Sequence, residues 1–203
     1  MSSRQILLSG LFLSIFAVIG TAIVAVIEDS TREKIAENER RVLLRDLYSL
    51  LPPEKLDNVI AEDTRTIPAS VLIGTESESL VYRARLQGEP VAVIFNSIAP
   101  NGYSGRINLL VGVYFDGSLA GVRAVKHAET PGLGDVIELK KSDWVLGFDS
   151  RSLDNPRLDK WKVKRDGGVF DQFTGATVTP RAVVEAVKNT LLYYEKNAEN
   201  LYD

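Results

Sequence analysis

Leu109-Leu110-Val111-Gly112-Val113-Tyr114-Phe115-Asp116-Gly117-Ser118-Leu119-Ala120-Gly121-Val122-Arg123-Ala124-Val125-Lys126 sets two apolar, β-branched runs on either side of an Asp-Gly pair. Asp-Gly between such runs is a strong short-range hairpin signal, because glycine admits the positive φ that tight turns need. The stretch predicts antiparallel strands over Leu109 to Phe115 and Leu119 to Lys126. Upstream, Ser79 to Leu86 and Pro90 to Ile98 carry the same character around Gln87-Gly88-Glu89, which predicts a second hairpin. Downstream, Thr179 as N-cap and Pro180 as first helical residue open a helix reaching Asn197, with Val184, Val187 and Leu191 on one side. A shorter helix is expected over Val136 to Lys140. Helices beside an antiparallel sheet define an α+β domain, and residues 54–203 fall in the usual size range for one domain. No internal repeat or low-complexity linker divides them.

Ahead of this domain the chain is of another kind. Ile6 to Ile27 is a run of 22 uncharged residues, which as a helix reaches about 33 Å and spans the hydrocarbon of a bilayer. The run exceeds a usual signal-peptide core and ends without a clear Ala-x-Ala site, so residues 6–27 are expected to remain as a single transmembrane anchor in membrane lipid. Arg4 precedes the span, whereas Glu28 and Asp29 follow it. That small positive bias puts residues 1–5 in the cytoplasm and the remainder outside it. Ser30-Thr31-Arg32-Glu33 fits a capping box that starts a separate helix ended by Pro52-Pro53, so residues 28–53 read as a stalk or linker, either extended from the membrane or packed on the domain.

Composition narrows the chemistry. The chain has no cysteine and one histidine, His127, which excludes thiolate-bound iron–sulfur clusters, a c-type haem attachment, a dithiol relay and a bis-histidine haem within one chain. No metal site is expected, and any redox role rests on an organic cofactor. Of the 24 basic residues only Arg4 precedes the span, and all 27 acidic ones follow it, leaving the outer part net negative without a basic stripe. Nucleic acid is not an expected partner.

Three loops concentrate glycine and polar groups as ligand loops do: Asn101-Gly102-Tyr103-Ser104-Gly105, His127-Ala128-Glu129-Thr130-Pro131-Gly132-Leu133-Gly134-Asp135, and Asp171-Gln172-Phe173-Thr174-Gly175-Ala176-Thr177. The first two contain turn dipeptides and read equally as simple turns. In the third, Thr174 and Thr177 with Thr179 just beyond offer three hydroxyls, Gly175 and Ala176 permit close approach, and Thr177 sits just ahead of a helix N-terminus, where a phosphate is favoured. Spacing alone leaves an ordinary capped turn as the alternative.

Asp-x-x-[Ser/Thr]-Gly-Ala-Thr at 171–177 resembles the recognition motif of flavin transferases, which move an FMN moiety from FAD onto a threonine hydroxyl. His-x-Glu-Thr-Pro-Gly-Leu-Gly at 127–134 resembles the second signature of the FMN-binding domain shared by the G subunit of Rnf-type (Rsx) electron transport complexes and the C subunit of sodium-pumping NADH:quinone reductases. The likeness covers nearly the whole chain, and chain length together with Thr179-Pro180 after the 171–177 motif favours the Rnf-type family. It implies covalent FMN as a phosphoester on Thr177, with Asp171 read by the transferase. It also implies a flavin pocket formed by Glu129, Thr130, Leu133, Gly134, Thr174, Gly175 and Ala176. Lys162, Lys164 and Arg165 are candidates to neutralise the phosphodiester, or plain exposed basic residues. His127 is a candidate proton donor, or structural. The family further implies a relay subunit in the bacterial inner membrane. Its complex, with iron–sulfur and flavin subunits as partners, couples electron transfer between ferredoxin and NAD to ion translocation. The alternatives are an anchored FMN module outside such a complex and a non-redox adaptor.

Overall fold

A computed structural model describes residues 3–202 and contains an N-terminal helix, a five-stranded antiparallel sheet and a C-terminal helix. Met1, Ser2 and Asp203, the extremes of the expected cytoplasmic N-terminus and outer domain, lie outside the described residues. The chain divides into two compact units, one ending at Leu43 and the other starting at Leu44.

Helix α1 covers Ser3–Leu50 without interruption. The helix start expected at Ser30 is therefore absent. The Ser30 hydroxyl donates to the Ile27 carbonyl at 2.9 Å and the Thr31 hydroxyl to the same carbonyl at 2.7 Å, the back-bonding of residues inside a helix. The apolar section from Leu7 onward is long enough to cross a bilayer, and its Leu, Ile, Phe and Val side chains are exposed. Only the last turns change character: Leu47, Leu50 and Leu51 are buried.

The sheet is a meander in the order β1 (Thr64–Ile67), β2 (Ser79–Leu86), β3 (Glu89–Gly102), β4 (Gly105–Tyr114) and β5 (Leu119–Lys126). Both expected hairpins form. At the decisive turn Gly117 takes φ +84°, and the Asp116 carboxylate accepts the Ser118 N–H at 2.9 Å. The chain also pairs where a loop was expected: Gly102 sits opposite Gly105, so Asn101–Gly105 is the tip of a third hairpin joining the other two. Strand β1 is an addition too, since four residues of mostly polar sequence carry little strand signal on their own. The helix expected at Val136 to Lys140 is a single 3-10 turn, Asp135–Ile137, after which Glu138 is extended.

Alternation along the strands gives the sheet two apolar faces. Val93, Phe95, Leu109, Val111 and Val122 lie in one core with helix α2 (Val178–Leu201). There Phe95 meets Tyr193 and Tyr194 edge-on, with ring centroids 5.9 and 6.4 Å away. On the opposite face the end of α1 rests on β5: a Cβ at Gly121 would lie 3.0 Å from Leu50 Cδ2, and Arg123 donates to the Ser49 carbonyl at 2.7 Å. Two buried hydroxyls lock α2 in register. Thr190 donates to the Ala186 carbonyl at 2.9 Å, so the 2.7 Å contact with Ser97 uses the Ser97 proton. Thr190→Val is expected to strand that proton and cost about 1–3 kcal/mol, read as a lower denaturation midpoint at unchanged m-value.

Between β5 and α2 the chain is held by rings more than by regular structure. Phe148 stacks on Phe170 at 4.7 Å and on Trp161 at 6.3 Å, and Trp144 extends the cluster edge-on to Phe148 at 5.3 Å and to Phe173 at 5.1 Å. The inner rings are buried and the outer pair partly so. The cluster thus carries the segment before Thr177 on the core.

Candidate functional site

Two of the three glycine-containing loops and the first turn of α2, just beyond the third, meet at one carboxylate. Glu129, just beyond β5, is only 5% exposed. Its Oε1 accepts the Ser104 N–H at 3.0 Å from the β3–β4 tip, and its Oε2 accepts the Thr179 hydroxyl from the first turn of α2. Glycines make room for it. A Cβ on Gly102 would stand 2.8 Å from Oε1, and one on Gly134 would stand 2.7 Å from Oε2. A carboxylate this deeply buried requires such partners, since an unpaired buried charge costs several kcal/mol.

This contact changes the reading of the helix start. Thr179 was expected as N-cap, but it lies inside the helix, fully buried, with its hydroxyl committed to Glu129. Thr177 is the N-cap and makes no side-chain cap hydrogen bond. Its hydroxyl is therefore not used as a cap, beside the first-turn N–H groups that have no intrahelical partner. Pro180 within this turn forfeits no helical bond for the same reason.

Ahead of Thr177, Phe173 to Ala176 forms a turn closed by Ala176 N–H donating to the Phe173 carbonyl at 3.2 Å, with Gly175 at φ +82°. That pattern, positive φ at the third position only, is a type II turn and selects glycine there. Thr174 is exposed on the turn and Ala176 partly covered. Leu133 closes the gap between loops: its Cδ2 would be 3.6 Å from a Cβ on Gly175, yet the side chain is 44% exposed. Thr130 holds the same loop by its carbonyl, which accepts the N–H groups of Leu133 at 3.1 Å and Gly134 at 3.0 Å. Thr130, Leu133, Gly175 and the Thr177 helix start thus lie on one side of the domain, over the buried Glu129 and Gly134. Tyr103 at the β3–β4 tip and Val178 at the start of α2, which the sequence did not single out, are exposed apolar residues. Their only signal was adjacency to the motifs.

The basic candidates separate. Lys164 is 2.5 Å from Asp171 Oδ1, and the Arg165 N–H donates to Gln172 Oε1 at 3.0 Å, so both contact the segment preceding the threonines. His127 is a brace. Its Nδ1 accepts the Glu129 N–H at 3.1 Å, which leaves Nε2 as the protonated nitrogen donating to Glu138 at 3.1 Å. Lys140, 2.7 Å from Glu138, holds that carboxyl below its ordinary range against the opposite pull of burial, with a smaller contribution from His127.

The surface so assembled lies within the segment that matches a known domain. The family described as FMN-binding domain matches residues 102–192, and the family described as RnfG N-terminal region matches residues 1–50. Relatives named as the G subunit of an ion-translocating oxidoreductase complex are similar throughout. The Pseudoalteromonas atlantica protein is 48% identical over 194 residues, covering 96% of this chain and 90% of that protein. The Pseudomonas aeruginosa PAO1 protein is 50% identical over 198 residues, covering 98% and 92%. That of Shewanella amazonensis is 46% identical over 194 residues, covering 96% and 90%. With such identity sustained from the apolar helix through α2, the chain belongs to the family of G subunits of ion-translocating oxidoreductase complexes.

Proposed function

We propose that this chain is the flavin electron-carrier subunit of an ion-translocating oxidoreductase complex, with FMN esterified through its phosphate to the Thr177 hydroxyl. The observation that carries the reading is the convergence of two loops and the first turn of α2 on Glu129, beside a helix N-cap whose threonine hydroxyl makes no cap bond. The residues fit the group. A phosphate on Thr177 sits where first-turn N–H groups and the helix dipole favour an anion. Leu133, Tyr103, Val178 and the edge of Trp144 supply apolar surface for a planar ring. When bound, the flavin supplies reversible one- and two-electron chemistry.

Attachment is a transfer from FAD. Thr177 Oγ forms a bond to the flavin-side phosphorus, the pyrophosphate P–O bond breaks, AMP leaves with the bridging oxygen, and the hydroxyl proton goes to solvent. No electrons are exchanged. A dedicated flavin transferase reads Asp171 through Thr177 during maturation. The ester keeps the cofactor in place independently of affinity.

In this reading residues 6–27 cross the inner membrane, residues 1–5 are cytoplasmic, residues 28–53 continue as a stalk and residues 54–203 work outside the cytoplasm. The other subunits of the complex provide the iron–sulfur and further flavin centres and the ion path, since the span carries no charged residue to line one. They couple electron transfer between ferredoxin and NAD to ion movement. Full-length protein produced with an exported flavin transferase is expected to gain the mass of one FMN less water, localised to the peptide containing Thr177. An unmodified peptide under conditions that load another substrate of the same transferase overturns the covalent reading.

A further inference from the structure

Residues 171–178 form a strap between two buried anchors, Phe170 at 5% exposure and Thr179 at 0%. Along the strap Asp171, Gln172, Thr174, Gly175 and Val178 are exposed and only Phe173, Ala176 and Thr177 are partly covered. Its fastenings gather at the end remote from Thr177. The Trp144 Nε1–H donates to the Asp171 carbonyl at 2.9 Å, Lys164 contacts the Asp171 carboxylate at 2.5 Å, and the Arg165 N–H holds the Gln172 side chain at 3.0 Å. Phe173 adds an edge-on contact to Trp144. The Lys164 and Asp171 side chains are 59% and 67% exposed, so their pair contributes little to global stability.

This arrangement sets two demands on Asp171 at once. An enzyme that reads the segment from Asp171 to Thr177 must grip the carboxylate that Lys164 holds and straighten a backbone that Trp144 and the Phe173–Ala176 turn keep folded. We propose that the strap is a latch: Lys164 and Trp144 hold the recognition segment against the domain, and Thr177 receives its flavin only while those contacts are open. The inference rests on the covalent reading above and adds its regulation. The bonds made and broken at Thr177 are the same in either state of the latch, which changes only how often the segment is presented. Once the flavin is attached, closure of the same contacts returns the strap to its place against Leu133.

The test follows the initial rate of covalent flavin incorporation into the full chain, with FAD in excess and transferase limiting, by in-gel fluorescence. Lys164→Ala is expected to be modified about two- to fivefold faster than wild type, the factor an exposed ion pair represents. Lys164→Arg is expected to restore the wild-type rate. Trp144→Phe, which keeps a ring against Phe173 and removes the N–H, is expected to accelerate incorporation as well. Added salt screens the pair, so the ratio of Lys164→Ala to wild type is expected to fall toward one. Equal or slower modification of Lys164→Ala, with wild type modified on Thr177, overturns the latch and leaves the carrier reading intact. Absence of covalent flavin from every variant overturns both.

Discussion

Thr177→Ala is expected to carry no covalent flavin, whereas Thr177→Ser retains it. The reaction needs a hydroxyl oxygen at this position, and the neighbouring hydroxyls do not substitute for it. Thr179 lies only two residues away but is buried and donates to Glu129, while Thr174 sits on the far side of the type II turn. Because Thr177 makes no cap hydrogen bond, its truncation removes no interaction of that kind from the fold. Unfolding free energy before flavin loading should therefore match wild type within the few tenths of a kcal/mol typical of a surface change, roughly 0.5 kcal/mol at most. In-gel fluorescence and intact mass measure the loss directly. Covalent flavin persisting on Thr177→Ala, mapped to Thr174 or elsewhere, would contradict the assignment.

Glu129→Ala is expected to have the largest effect on stability. It strands the Ser104 N–H and the Thr179 hydroxyl and empties a volume that Gly102 and Gly134 keep open. Two hydrogen bonds to a charged acceptor correspond to about 3–5 kcal/mol, before any relaxation of the loops. Glu129→Gln keeps shape and one acceptor, so its cost should be nearer 1–2 kcal/mol. Chemical denaturation separates the two, and hydrogen exchange should locate the loosening at the β3–β4 tip, the loop after β5 and the first turn of α2. If both variants melt like wild type, the carboxylate does not hold the loops together.

Much of this architecture was legible in sequence because the physics concerned is local. Alternating apolar runs around Asp116-Gly117 and Gln87-Gly88 specify hairpins through pleat periodicity and turn sterics. The uncharged run from Ile6 specifies a membrane-length helix by transfer energy alone. Where neighbouring signals competed, local reading failed. Ser30-Thr31-Arg32-Glu33 has the composition of a cap, but helix propagation through it is easier than a new nucleation, so α1 continues. Val136 to Lys140 was expected as a helix, yet it yields one 3-10 turn, Asp135–Ile137, with Ile137 buried in the core and Glu138 extended beyond it. Thr64–Ile67 becomes a strand only because β2 offers an edge to pair with.

The sequence by itself determined the class of the fold, the apolar N-terminal helix and the likeness of the segment 171–177 to a flavin-transferase recognition motif. Each follows from periodicity, length or a contiguous motif, which needs no knowledge of what lies across the chain. Only the tertiary structure decided that Glu129 faces Thr179, which stands 50 residues away in sequence, that Thr177 rather than Thr179 ends up as the N-cap, and that Asp171 is fastened by Lys164 and Trp144. Those outcomes depend on burial. A carboxylate removed from water takes whichever donors the packing of sheet and helix brings to it, and no local rule of sequence names them.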